Sequence, residues 1–127
     1  MSQLCRGEST ELFSLQPVGC YEDRKKPDRA LPHLYHQLPA GFVQWNKARH
    51  HRLDLVVEQC SEKAYEKGYE YFGVQHSREC YGNGTDYSKY GAQLNKEHCY
   101  VFDNRTGHGV GGKFTNFVYR IVKRIKN

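Results

Sequence analysis

Between Arg78 and Tyr90 the chain gathers the two kinds of side chain that sugar recognition needs. Aromatic faces stack on the C–H surfaces of a sugar ring, while carboxylates, amides and guanidinium groups take its hydroxyls. Arg78, Glu79, Tyr81, Asn83, Asp86, Tyr87 and Tyr90 supply both kinds in one short stretch and are the candidate ligand-binding residues. The stretch Gly82–Gly91 (GNGTDYSKYG) reads as a polar loop bounded by glycines, and its Asn-Gly and Thr-Asp steps are turn chemistry. The plainer alternative is that Tyr81 is core and its neighbours an ordinary polar loop. As a group they favour binding, because loops on a rigid scaffold carry it disproportionately.

Other candidate chemistry is thinner. Gly107–Lys113 (GHGVGGK) spaces two glycines and a lysine as a phosphate loop does, but Phe114 stands where the magnesium-ligating hydroxyl belongs. A strand pattern follows where a helix should start, so the segment reads as a flexible loop or hairpin turn. Close backbone approach to a ligand is its one functional option. His33 with His36, and His50 with His51, could ligate a metal. No third ligand is near either pair, and a zinc site needs three or four. No local motif pairs a nucleophile with an oriented base, so neither an enzyme nor a cofactor is expected. Asn83-Gly84-Thr85 and Asn104-Arg105-Thr106 are glycosylation sequons, which suit surface loops.

The elements that would hold these residues centre on Val56–Gly82. Leu53, Val56, Val57, Cys60 and Ala64 recur at helical spacing, which predicts a helix over about Leu55–Lys67 with Asp54 as its cap. Glu58, Glu62 and Glu66 fall one turn apart on the opposite side and repel slightly. Gly68 suits a left-handed C-terminal cap. Tyr69–His76 then reads as a strand, Ser77–Arg78 as a tight turn and Glu79–Tyr81 as a second strand. A Cys60–Cys80 disulfide would pin the helix across the sheet; the alternative is two free buried cysteines.

Met1–Gln16 reads as a lead-in segment, with a short edge strand conceivable at Glu11–Leu15, and residues 17–127 as one domain. Pro32 and Pro39 break any helix in Ala30–Gly41, which reads as an ordered loop dipping Leu31, Leu34 and Leu38 towards the core. Trp45 reads as a core anchor. Strand character resumes at Glu97–Asp103. Asn104–Lys113 reads as a glycine-rich loop. Thr115–Val122 is the clearest strand, with Phe117, Tyr119 and Ile121 on one face. One helix among short strands predicts an α+β fold on an antiparallel sheet.

Composition bounds the rest. A chain of 127 residues makes one domain with a modest core. Five cysteines without a CxxC pair point to an oxidising compartment rather than to a zinc ribbon or thioredoxin-like site. No apolar run reaches the roughly 18 residues of a membrane helix. No signal segment follows Met1, so the expectation is a mature or expressed secreted chain without its leader. The formal charge of +5 gathers at Arg24–Lys26, Arg49–Arg52 and Lys123–Lys126. Such clusters can hold polyanions. No helix carries a continuous basic face, and nucleic acid is not an expected partner.

Several of these residues also carry a family resemblance. Gly19-Cys20-Tyr21 with its acidic turn, Arg29-Ala30-Leu31 and the helix with Cys60 resemble the opening of WSC domains. Lys67-Gly68-Tyr69, Phe72-Gly73-Val74-Gln75 and Glu79-Cys80-Tyr81-Gly82 are similar to the centre of those domains, and Val118-Tyr119 to their close. The resemblance covers about Val18–Arg120. WSC domains usually carry eight cysteines; Ala64 and Gly82 or their neighbours stand where two of these fall, so this is a reduced-cysteine, WSC-like variant. The resemblance implies a PAN/apple-related fold: one helix packed on a curved antiparallel sheet, stapled by disulfides. It also implies carbohydrate binding or extracellular adhesion rather than catalysis.

For the disulfides it favours Cys60–Cys80, and then Cys20–Cys99 if Cys5 is odd, although four cysteines allow three pairings. Cys5 could bridge two chains in a homo-oligomer or stay a free thiol. The expected function is therefore lectin-like binding of glycans or glycoproteins. The alternatives are a protein–protein adhesion or matrix module and a heparin-like polyanion binder.

Overall fold

The computed structural model describes residues 12–23, 31–43, 49–83, 93–94 and 98–124. Their strands are β1 (Phe13–Glu22), β2 (His33–Gln37), β3 (Tyr71–Gln75), β4 (Glu79–Gly82), β5 (Gln93–Leu94), β6 (Cys99–Asp103), β7 (His108–Gly111) and β8 (Thr115–Lys123), with one helix, α1 (Arg49–Lys67). Six strands form a sheet in the order β2-β4-β3-β8-β1-β5, and β6 and β7 form a separate hairpin. Every pairing is antiparallel. One helix with an antiparallel sheet and two disulfides is the α+β composition expected from the sequence.

The predicted helical stripe is the core. Leu53, Val56, Val57, Cys60 and Ala64 are buried, in one cluster with Phe72, Val74, Phe117, Tyr119 and Ile121. Each buried Leu or Val stabilises by roughly 1.5–3 kcal/mol relative to an exposed one. β8 alternates as predicted, for Val118 belongs instead to a smaller cluster with Tyr21, Leu31 and Tyr81. Gly68 ends α1 at φ +80, with its N–H donating to Tyr65 O (3.1 Å) and Tyr69 N–H to Ala64 O (3.0 Å). That pair of bonds is a Schellman motif.

Cys60, on α1, is bridged to Cys80 on β4, and Cys20, on β1, to Cys99 on β6. The first bridge ties the helix to the sheet, and the second ties the small hairpin to it. Two side chains of β2 add to the first tie: Tyr35 Oη donates to Cys60 O (2.8 Å), and His36 Nε2 lies 3.2 Å from Gln59 Oε1.

Three expectations are corrected. The helix begins at Arg49, because the polar run Arg49–Arg52 has no apolar period to reveal it; Asp54 is an exposed residue within the helix, not its cap. Ala30–Gly41 contains strand β2, since Pro32 and Pro39 flank it and leave its N–H groups intact. Leu31 and Leu38 are buried as expected, but Leu34 is 42% exposed. Asn104–Lys113 contains β7, whose glycines serve close packing: a Cβ on Gly111 would overlap the carbonyl of Thr115. β1 runs unbroken from Phe13 through Pro17. Cys5 and Trp45 lie outside the described residues.

Candidate functional site

The β3–β4 hairpin carries the first candidates. Its two turn residues, His76 (φ 53) and Ser77 (φ 63), are both left-handed, and Arg78 N–H closes the turn on Gln75 O at 3.1 Å. This is the two-residue turn that suits a twisted hairpin, built here without the usual Asn or Gly. The backbone of the neighbouring hairpin holds it: His76 N–H donates to Gly112 O and Ser77 N–H to Gly111 O, each at 3.1 Å. The glycines of GHGVGGK therefore receive the protein's own turn.

The turn aims Arg78 inward. Its Nη1 donates to Leu38 O at 2.7 Å, and Leu38 N–H donates back to Arg78 O at 2.9 Å. With its amide oxygen turned towards Arg78, Gln37 accepts from the same nitrogen at 2.8 Å. Arg78 thus clamps the end of β2. Glu79 Oε1 accepts from Tyr81 Oη at 3.3 Å, and Glu79 Oε2 lies 3.9 Å from His76 Nδ1. Tyr81 is only 8% exposed and packs with Tyr21, Leu31 and Val118, so its ring offers no stacking face; the plainer reading of this residue holds. Asn83 is exposed and left-handed (φ 67) beyond the far end of β4, roughly 13 Å of strand from Glu79. Glu79 and Tyr81 come together, while Arg78 turns to β2 and Asn83 stands apart. Asp86, Tyr87 and Tyr90 lie outside the described residues.

A second feature was not singled out from the sequence. α1 and the first half of β1 flank an open groove of about 1030 Å³. Asp54, Glu58, Glu62 and Glu66 line it from the helix, Leu12 to Leu15 from the strand, and His108 also lines it. Phe13 and Tyr65 stack in it at 4.6 Å. Burial holds the His108 imidazole below the usual histidine range, against the opposing pull of Asp103 and Asp54. The acidic period Glu58–Glu62–Glu66 was visible in the sequence, but β1 comes beside it only through the long-range pairing of β1 with β8.

Among the described residues, no group of three His, Cys, Asp or Glu side chains is placed to hold a metal ion. No helix among them is long and apolar enough to cross a membrane. The sequon residues Asn83 and Asn104 are both exposed. The chain matches no protein-family model, and no curated protein matches it.

Proposed function

We propose that this chain is a secreted, non-enzymatic, carbohydrate-binding domain of WSC-like type, with its helix packed on a curved antiparallel sheet. Its ligands on this reading are glycans or glycoproteins, met by the polar, tyrosine-rich segment that follows Asn83. The observation that carries the reading is how this segment is anchored. It leaves β4 just after the bridged Cys80 and returns at β5, which pairs with β1 beside the bridged Cys20. β4 and β5 lie four strand positions apart in the sheet, about 19 Å. The chain from Asn83 to Gln93 therefore joins two stapled points across the sheet. Aromatic and polar groups tethered in this way suit a shallow sugar site.

Asp86, Tyr87 and Tyr90 are the proposed contacts, with Asn83 at the start of the same segment. Arg78, Glu79 and Tyr81 support the scaffold. Single sites of this kind are weak, and a homo-oligomer, with Cys5 as one route to it, would raise the avidity.

The test is a glycan array on the oxidised protein at low and high salt. Neutral glycans bound at both salts, and lost in Asp86→Ala and Tyr87→Ala, are the expected result. Binding to sulfated glycans alone, abolished by salt, would replace the reading with polyanion binding. No glycan bound by oligomeric protein would leave an adhesion or matrix module.

A further inference from the structure

Among the described residues β1 has an open edge. β8 pairs with it along its whole length, but on the other side β5 covers only Cys20 and Tyr21. Among the described residues, no strand pairs with the outer edge of Phe13–Pro17. Arg124 N–H donates to Leu12 O at 3.1 Å, so Leu12 turns its backbone groups towards β8. Alternation then turns those of Phe13, Leu15 and Pro17 outward. Pro17, which lacks an N–H, occupies an outward position, where the absent donor costs no ladder bond.

This edge borders the groove, and the groove has a definite chemistry. Asp54, Glu58, Glu62 and Glu66 are all exposed and stand one turn apart, a row of carboxylates about 18 Å long. The stacked rings of Phe13 and Tyr65 lie beside them, and Leu12 is 50% exposed at the rim. The chain as a whole carries +5, so this acidic row runs against its overall charge.

We propose that this groove takes an extended basic segment of another protein, added as a strand on the outer edge of β1. Alternate side chains of an added strand recur about every 6.7 Å on one face, close to the roughly 6 Å rise between carboxylates four residues apart on the helix. Lysine and arginine fit both surfaces, with aliphatic stems on Phe13 and Tyr65 and charged ends at the carboxylates. Main-chain bonds to Phe13 and Leu15 give affinity, and the carboxylates select the partner. A second copy of this chain is a poorer occupant. Twofold pairing of β1 with β1 would set two acidic rows face to face. The inference does not depend on the glycan-binding reading.

The probe is a labelled peptide of alternating lysine and threonine, titrated into the full chain and followed by fluorescence anisotropy. Binding is expected to weaken by about tenfold between low and high salt. A loss of about tenfold is expected in the double variant Glu58→Gln/Glu62→Gln, whose sites are exposed and whose folding is checked by circular dichroism. Two methylated peptides test the strand geometry, one N-methylated at every lysine and the other at every threonine. Only one of them should lose binding, and the Phe13 and Leu15 amides should gain hydrogen-exchange protection. Equal effects of the two methylations, no binding at low salt, or binding unchanged in the double variant would each overturn the proposal. So would an edge-paired dimer that excludes the peptide.

Discussion

The phenol of Tyr119 and the backbone of Gly109 satisfy each other in both directions. Gly109 N–H donates to Tyr119 Oη at 2.8 Å, and Tyr119 Oη donates to Gly109 O at 2.5 Å. Both residues are buried. One hydroxyl thus joins the small β6–β7 hairpin to the centre of the main sheet, and burial pushes its pKa far above the ordinary tyrosine value. Tyr119→Phe keeps the ring and strands a buried donor and acceptor, at a cost of about 3 kcal/mol. The expected result is a lower denaturant midpoint with an unchanged slope.

Gly111 and Gly68 are needed for different reasons, and alanine separates them. At Gly68 a Cβ meets nothing, and the left-handed backbone alone costs about 1 kcal/mol. At Gly111 the Cβ would overlap backbone that no rotamer can move. Gly68→Ala should fold with modestly reduced stability. Gly111→Ala should lose more than about 3 kcal/mol or fail to fold, and thermal unfolding distinguishes the two.

The two disulfides close loops of unequal length, with sequence separations of 79 for Cys20–Cys99 and 20 for Cys60–Cys80. Chain-entropy arguments assign about 4.5 and about 3.3 kcal/mol to loops of these sizes. Replacing Cys20 and Cys99 by alanine should therefore destabilise more than replacing Cys60 and Cys80. Equilibrium denaturation of the two double variants measures the difference.

His108 makes stability depend on pH in a known direction. Burial lowers its pKa in the folded state, so the unfolded chain binds a proton at a higher pH than the folded one. Its contribution is fully present above pH about 6.5 and is lost as pH falls towards the folded-state value. Stability measured from pH 7.5 down to 5 should decline, and His108→Gln should flatten that part of the curve.

Much of the fold was legible because its signals are local. The stripe Leu53–Ala64, the stop at Gly68 and the alternation of Phe117, Tyr119 and Ile121 each follow from spacing alone, and the structure buries them as the spacing predicts. β2 and β7 were missed because prolines and glycines read as loop. Prolines flank β2 without removing a ladder bond, and Gly111 leaves room for the Thr115 carbonyl. The candidate site was less legible. Sequence pattern cannot tell that Tyr81 turns inward beside Leu31, or that Arg78 reaches Leu38 O, since both depend on strands brought together from distant parts of the chain. The groove escaped notice for the same reason. Its carboxylates sit on one helix, but its other wall is a strand more than thirty residues earlier.

The bond between Leu12 O and Arg124 N–H sets how the domain responds to a pulling force. β1 and β8 run antiparallel from that point, so tension applied at Leu12 and Arg124 loads their hydrogen bonds one after another, as in a zip, rather than all together in shear. The strands should part at low force from this end. Opening then meets the Cys20–Cys99 bridge, which carries the load past everything between those two cysteines. While that bridge stays oxidised, Tyr21 to His98 cannot be drawn out, and only the segments outside it can extend. The helix and the β3–β4 hairpin thus lie inside a covalent bypass. A stretched chain would lengthen only by the segments outside it, and a reducing agent would be required to draw out the rest.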